Sequence, residues 1–296
     1  MTKTPVFRGS CTALVTPFTP EGVDYERLGK NLEKQYACGS AAVLVCGTTG
    51  EAATLSGDEH NELVRFTVNA VHGRMKVIVG VGGNNTAAAV KKAENARAAG
   101  ADAILMVTPY YNKTTQRGLA AHFGYVAERV DIPMIVYNVP GRTGIGIQAE
   151  TYRILADYAN INGVKEASGN LALAGEIRSL CGDELNLYSG NDDNTVGFMA
   201  LGGQGVISVL SNLLPAETAK LCSLCLEGDF PAAAALQARL LPLMKALFLE
   251  TNPIPVKKAM QWLGEDSGLL RLPLVEMGEE AAARLRAAMR EYGLDV

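Results

Sequence analysis

The 296-residue sequence predicts an α/β fold, a (β/α)8 TIM barrel with a small C-terminal three-helix addition. Three observations carry that expectation. Eight short apolar runs recur along the chain, and each stops at a cluster of hydroxyl, amide or glycine residues. Segments with helical periodicity separate the runs, at roughly the 20–35-residue repeat of one strand–helix pair. Runs rich in Val, Ile and Leu read as strands of a parallel sheet buried on both faces. Polar clusters at the carboxyl ends of such strands are where barrel enzymes carry their chemistry. An open doubly wound sheet is the alternative, but it usually shows Gly-x-Gly-x-x-Gly after the first strand. Here Thr16-Pro17-Phe18 follows instead.

The elements justify themselves in order. Residues 11–15 are the first run, closing on Thr16-Pro17, and 24–39 form a helix with Leu28, Leu32 and Tyr36 on one face. Run 43–46 closes on Gly47-Thr48-Thr49-Gly50-Glu51; helix 56–73 opens with Ser56 and Glu59 at capping-box spacing and carries Leu63, Phe66 and Ala70. Run 77–81 meets Gly82-Gly83-Asn84-Asn85, and the alanine-rich helix 86–100 starts at a threonine cap and ends at glycine. Run 103–107 precedes Thr108-Pro109-Tyr110-Tyr111-Asn112 and helix 116–130. Run 134–137 leads into the loop 138–144 and helix 149–158. Run 163–164 leads into Lys165 and helix 172–181. Run 185–188 leads into the cluster 189–193 and helix 194–201. Run 205–209 is followed by Ser211-Asn212 and helix 215–227. Beyond Gly228 the strand signals stop. Residues 229–250, 253–263 and 278–292 read as helices, with Pro253 and Pro255 suited to a first turn. The expected division is a catalytic barrel over 1–228 and a helical C-terminal domain over 229–296.

Composition narrows the function. A 48% hydrophobic and 20% charged chain is an ordinary globular one, and 296 residues bury a sizeable core unaided. Net charge is −4 with no basic block, so nothing suggests nucleic-acid binding. Residues 1–8 lack the apolar stretch of a signal peptide, and no run approaches a membrane span, so a cytoplasmic location is expected. The six cysteines are scattered and read as reduced, buried thiols. Cys222 and Cys225 stand without a second pair or a nearby histidine, so helix packing is preferred over metal binding. His60, His72 and His122 fall on predicted helices without metal spacing, His60 being expected on a helix surface, and Trp262 is expected in the core of the C-terminal helices. Neither Gly-x-x-x-x-Gly-Lys-Ser/Thr nor His-Glu-x-x-His is present, so no metal or nucleotide cofactor is expected.

The strand-end residues supply candidates. Lys165 follows Val164; since side chains alternate along a strand, Lys165 faces the barrel axis if Val164 faces the helices. Burying a lysine ammonium favours the neutral amine, the nucleophile that forms a Schiff base with a ketone or aldehyde. Tyr137 ends its run, and a phenol beside such a lysine can shuttle protons. Arg142, five residues on, offers a guanidinium fork for a carboxylate. Gly47-Thr48-Thr49-Gly50-Glu51 offers two hydroxyls and a nest of backbone N–H groups. Adjacent Tyr110 and Tyr111 point to opposite sides, so one lines the pocket while the other packs or crosses a subunit contact. Taken singly, each has an ordinary alternative: a solvated lysine, a packed tyrosine, an exposed arginine, plain turn chemistry.

Together, Gly-Thr-Thr-Gly-Glu at 47–51, Thr-Pro-Tyr-Tyr-Asn at 108–112, Tyr-Asn-Val-Pro-Gly-Arg-Thr-Gly at 137–144, Val-Lys-Glu-Ala-Ser-Gly at 164–169 and Ser-Gly-Asn-Asp-Asp at 189–193 closely resemble the dihydrodipicolinate synthase family. That family lies within the pyruvate-dependent class I aldolase and N-acetylneuraminate lyase superfamily. The resemblance spans essentially the whole chain. It implies a lyase that condenses pyruvate with L-aspartate 4-semialdehyde, opening diaminopimelate and lysine biosynthesis. It also implies roles. Lys165 would form the Schiff base, Tyr137 would donate and accept protons, and Thr48 would link Tyr137 to Tyr111 reaching in from a neighbouring subunit. Thr49, Ile207 and Gly190 would hold pyruvate, and Arg142 the second substrate's carboxylate. Asn84, Tyr110 and His60 match a possible effector site for lysine, but Gly57 and Ala88 stand where lysine-inhibited members tend to carry histidine and glutamate, so weak or absent feedback is expected. A homo-oligomer, at least a dimer and by resemblance a tetramer, is implied. Other Schiff-base lyases of the superfamily, acting on N-acetylneuraminate or keto-deoxy sugar acids, and a non-catalytic keto-acid-binding barrel are the alternatives.

Overall fold

A computed structural model describes residues 2–296. The barrel closes from eight parallel strands: β1 (Gly9–Ala13), β4 (Ala42–Val45), β5 (Lys76–Gly80), β6 (Ala103–Val107), β7 (Met134–Asn138), β8 (Ile161–Glu166), β9 (Asn186–Ser189) and β10 (Gly205–Ser208). Each pairs with its sequence neighbours, and β1 meets both β4 and β10 to seal the ring. A small antiparallel hairpin, β2 (Phe18–Thr19) with β3 (Gly22–Val23), interrupts the first crossover; its strands are too short to carry a periodic signal. The helices are α1 (Tyr25–Ala37), α2 (Gly57–Val71), α3 (Thr86–Ala98), α4 (Gln116–Ala127), the single turn α5 (Pro140–Thr143), α6 (Ala149–Ala156), α7 (Leu171–Cys181), α8 (Thr195–Ala200) and α9 (Pro215–Glu227). After these come α10 (Phe230–Ala246), α11 (Ile254–Trp262) and α12 (Glu279–Tyr292).

Strand alternation sorts two cores. Val43, Val45, Val77, Val79, Ile104, Met106, Val136 and Val164 face the helices, in a cluster with Leu28, Leu63 and Phe123. Leu44, Ile78, Leu105, Ile135, Tyr137, Tyr188 and Ile207 fill the barrel interior. A third cluster joins β10 and α9 to the C-terminal helices through Val206, Leu221, Leu240 and Met260.

Local expectations met local geometry with four differences. The capping box of α2 forms, Ser56 and Glu59 exchanging side-chain and backbone bonds. The cap of α3 is Asn85, accepting from Ala88 N, whereas Thr86 Oγ1 pairs with His122 Nδ1 at 2.8 Å. The buried face of α1 is Leu28, Asn31, Leu32 and Gln35. Tyr36 lies outside it, under the Arg74 guanidinium, because eight residues at 3.6 per turn drift well off the stripe begun by Leu28. His60 is buried, not on the surface: it starts the inward stripe of α2 continued by Leu63, Val64, Thr67 and Val71, and its Nε2 bonds Gly80 O at 2.9 Å. Trp262 is only half-buried, with the Arg286 guanidinium over its ring. All six cysteines are free thiols, and five of them are buried.

The C-terminal region grips the barrel mouth through charge. Arg271 Nη1 donates to Glu59 Oε2 at 2.9 Å, and Nη2 to Oε1. This clamp holds the Glu59 carboxyl down from 4.5 to about 2. A folded-state value below the unfolded one stabilises the protein above pH 4.5, and that stability is lost as pH falls towards 2. Glu59→Gln should therefore flatten the pH dependence of stability in that window, as read by urea midpoints from pH 5 downward, relative to the parent protein.

Candidate active site

A cavity of about 410 Å³ opens at the carboxyl ends of the strands. Its wall includes Thr48, Tyr110, Tyr137, Arg142 and Asn252, with Leu274 from the C-terminal region. Tyr137 and Lys165 are cross-strand partners between β7 and β8, and Lys165 pairs in turn with Tyr188 on β9. Their shared parity is why all three point inward. Lys165 is 6% exposed, its Nζ 4.4 Å from the centre of the ring of Tyr137, which lines the cavity. Around it are Cys11, whose thiol burial pushes upward, and Asp192, whose fully buried carboxyl is raised by desolvation against opposing bonds from Ser208 and the Val209 and Leu210 amides. The Asp192 Oδ2 atom accepts both amides at 3.0 Å.

The residue after the lysine keeps the strand end rigid. Glu166 Oε2 accepts from Asn138 Nδ2 at 2.8 Å and from the Tyr152 hydroxyl at 3.2 Å, while Oε1 accepts from Ser168 N at 2.7 Å. Burial and the Glu166 charge hold the Tyr152 phenol well above its usual range, so it stays a proton donor. Gly190 packs against the same strand end: a Cβ there would lie 2.6 Å from Ala167 Cβ, and its N–H donates to Glu166 O at 2.7 Å. Ile207 is fully buried in the barrel interior.

The turn at 47–51 divides its two hydroxyls. Thr48 is exposed at the cavity, whereas Thr49 is buried and accepts from Asn252 Nδ2 at 3.0 Å. Arg142, placed by α5, donates through Nη2 to Asn252 O at 3.1 Å. Tyr111 stands apart: it is 92% exposed, in a left-handed conformation at φ 65°. Asn84 is half-buried and accepts from Asn112 Nδ2 through its main-chain oxygen. Tyr110 lines the cavity and His60 does not, so these three are not gathered in one pocket of the single chain. Among the described residues no group of three or more His, Cys, Asp or Glu is placed to hold a metal. No helix there is long and apolar enough to cross a membrane.

Sequence reasoning missed Asn252, Asp192, Glu166 and Lys257. The first and last come from the C-terminal region, more than two hundred residues from their partners at 49 and 51.

A closed parallel barrel with an inward lysine and tyrosine side by side at the strand ends defines a barrel lyase. The comparisons specify which. The chain belongs to the dihydrodipicolinate synthetase family, whose sequence model matches residues 6–292. It is 50% identical over 291 residues to the 4-hydroxy-tetrahydrodipicolinate synthase of Thermoanaerobacter sp. (strain X514), covering 98% of both chains. Among solved structures it superimposes on dihydrodipicolinate synthase from Thermotoga maritima with a TM-score of 0.96 at 43% identity, covering 98% of this chain and 100% of that one. A chloride-inhibited dihydrodipicolinate synthase from Acinetobacter baumannii, solved in complex with pyruvate, gives a TM-score of 0.95 at 38% identity, covering 97% and 99%.

Proposed function

We propose that this protein condenses pyruvate with L-aspartate 4-semialdehyde through a Schiff base on Lys165, yielding 4-hydroxy-tetrahydrodipicolinate. The observation that carries the reading is the buried Lys165 amine 4.4 Å from the ring of Tyr137, which lines a cavity together with Thr48 and Arg142. Lys165 Nζ attacks the keto carbon, and the oxygen leaves as water to give the imine. A methyl proton is removed to give the enamine, whose carbon adds to the aldehyde. The amine of the second substrate then closes the ring at the former keto carbon and displaces Lys165. Tyr137 moves protons between oxygen and carbon, Thr48 relays them, and Thr49, Gly190 and Ile207 seat the keto acid. Arg142, already oriented by Asn252 O, receives the second substrate's carboxylate. We assign the catalytic barrel to residues 1–228 and a helical domain completing the site to 229–296; Asn252 and Lys257, both reaching the 47–51 turn, support that division.

The test is borohydride reduction in the presence of pyruvate, followed by peptide mass spectrometry. One reduced pyruvate adduct on Lys165 supports the reading, and an unmodified Lys165 ends it. The exposure of Tyr111 supports its action in a neighbouring subunit's site, which requires at least a dimer. Exposed Gly57 and Ala88 give an effector no charged partner. Initial rates should therefore change little with free lysine at millimolar concentration; half-inhibition in the low micromolar range would refute this.

A further inference from the structure

Asn252 stands where two substrate-holding groups meet. It is 5% exposed, in the cavity wall, on the segment leading into α11. Its carboxamide nitrogen donates to Thr49 Oγ1 at 3.0 Å, and its main-chain oxygen accepts from Arg142 Nη2 at 3.1 Å. Its own Oδ1 is buried without a donor. We propose that Asn252 is a positioning residue for keto-acid binding, one that orients the Thr49 hydroxyl. The proposal rests on the reading above that Thr49 seats the pyruvate moiety.

The argument is one of hydrogen inventory. A threonine hydroxyl has a single hydrogen and two lone pairs. Asn252 Nδ2 occupies a lone pair, so the hydrogen is left to donate elsewhere, and no protein acceptor for it is present among the described residues. An anionic carboxylate entering the cavity is an acceptor that fits. Without the carboxamide the hydroxyl rotates, and the Thr49 donor must be ordered at the moment of binding. An acceptor in place of the carboxamide nitrogen would do worse, because it would consume the hydroxyl hydrogen. The Arg142 arm uses the main-chain oxygen and survives side-chain substitution. Asn252 thus separates two effects that a general loosening of the mouth would mix.

The experiment measures, in the full-length enzyme, the pyruvate concentration giving half-maximal borohydride trapping, together with KM for both substrates and kcat. For Asn252→Ala, half-saturation and KM for pyruvate should rise about tenfold, the size of one neutral hydrogen bond. Its kcat and its KM for aspartate semialdehyde should stay within about threefold. Asn252→Asp, nearly isosteric, reverses the bond and sets a carboxylate near the substrate's own; its KM for pyruvate should rise by about a further tenfold. In a Thr49→Val background, Asn252→Ala should add nothing to the pyruvate effect. Unchanged half-saturation in Asn252→Ala, a fall in kcat alone, or additive effects with Thr49→Val would each overturn the proposal. If Asn252→Ala does not fold, Asn252→Asp decides, with an unchanged pyruvate KM overturning it. Absence of an adduct in the parent enzyme would instead overturn the Schiff-base reading, so the two failures are distinct.

Discussion

Replacing Lys165 by methionine should abolish both turnover and the borohydride-trapped adduct while leaving the fold intact. The side chain is 6% exposed and no hydrogen bond holds its amine among the described residues, so a linear apolar chain of similar length fits the same slot. Methionine keeps the length and packing of the lysine stem, so the thermal midpoint should change little. Turnover should fall by about 10³-fold or more, since the amine is the bond-forming atom and no neighbouring group replaces it. Lys165→Arg should be equally inactive, because a guanidinium keeps the charge without the free amine. Tyr137→Phe gives the complementary result: kcat falls by about 10²–10³-fold, the span expected for lost proton transfer, but pyruvate still labels Lys165. The one lysine in the cavity wall is Lys92 on α3. A pyruvate adduct that persists in Lys165→Met and maps to Lys92 would move the chemistry there.

Much of this site was legible because it is built from period-two alternation. Val164 placed against the helices forces Lys165 inward, and the same parity turns Tyr137 inward on the adjacent strand. All eight barrel strands overlap apolar runs, because strands buried on both faces are rich in apolar residues, but β1 starts two residues before its run and β8 extends past both ends of its own. The misses are of another kind. The α1 face was misjudged at Tyr36 because a spacing of eight keeps step with the helix only approximately. The polarity of His60 suggests a surface position, but its helical phase matches Leu63 and Val64 and buries it. Asn252 was passed over as the residue before a helix-starting proline. Its partners Thr49 and Arg142 are 203 and 110 residues away, and no local pattern encodes such a contact. The opposite sides of Tyr110 and Tyr111 were legible locally, but a role for Tyr111 in a neighbouring site came only from the family resemblance; in a single chain it is 92% exposed.

Breaking the ion pair between Lys257 and Glu51 should have the largest effect on stability of any single charge change. Both side chains are wholly buried, with Nζ 2.8 Å from Oε1. Lys257 also donates to Thr16 O at 3.0 Å and sits over the Phe18 ring, while Glu51 Oε2 accepts from Arg271 N at 3.0 Å. Each charge is therefore paired and hydrogen-bonded, the condition under which buried ions are tolerated. Lys257→Met leaves the carboxylate in the same dry site without its counter-charge. It should cost about 3–5 kcal/mol, and lower the thermal midpoint by about 10 °C. Adding Glu51→Gln removes the stranded charge but keeps an acceptor for Arg271 N, so the double variant should recover more than half of the loss. Lys30 with Glu26, a pair at 2.6 Å but 72% and 81% exposed, is the control, and Lys30→Met should shift stability by less than about 0.5 kcal/mol. Urea denaturation of the four proteins decides the matter. A Lys257→Met midpoint equal to that of Lys30→Met would mean that packing, not charge, joins α11 to the turn bearing Thr48 and Thr49. Recovery in the double variant would instead show that the loss comes from the uncompensated buried charge of Glu51, coupled to a segment two hundred residues away, the same segment that presents Asn252 to the cavity.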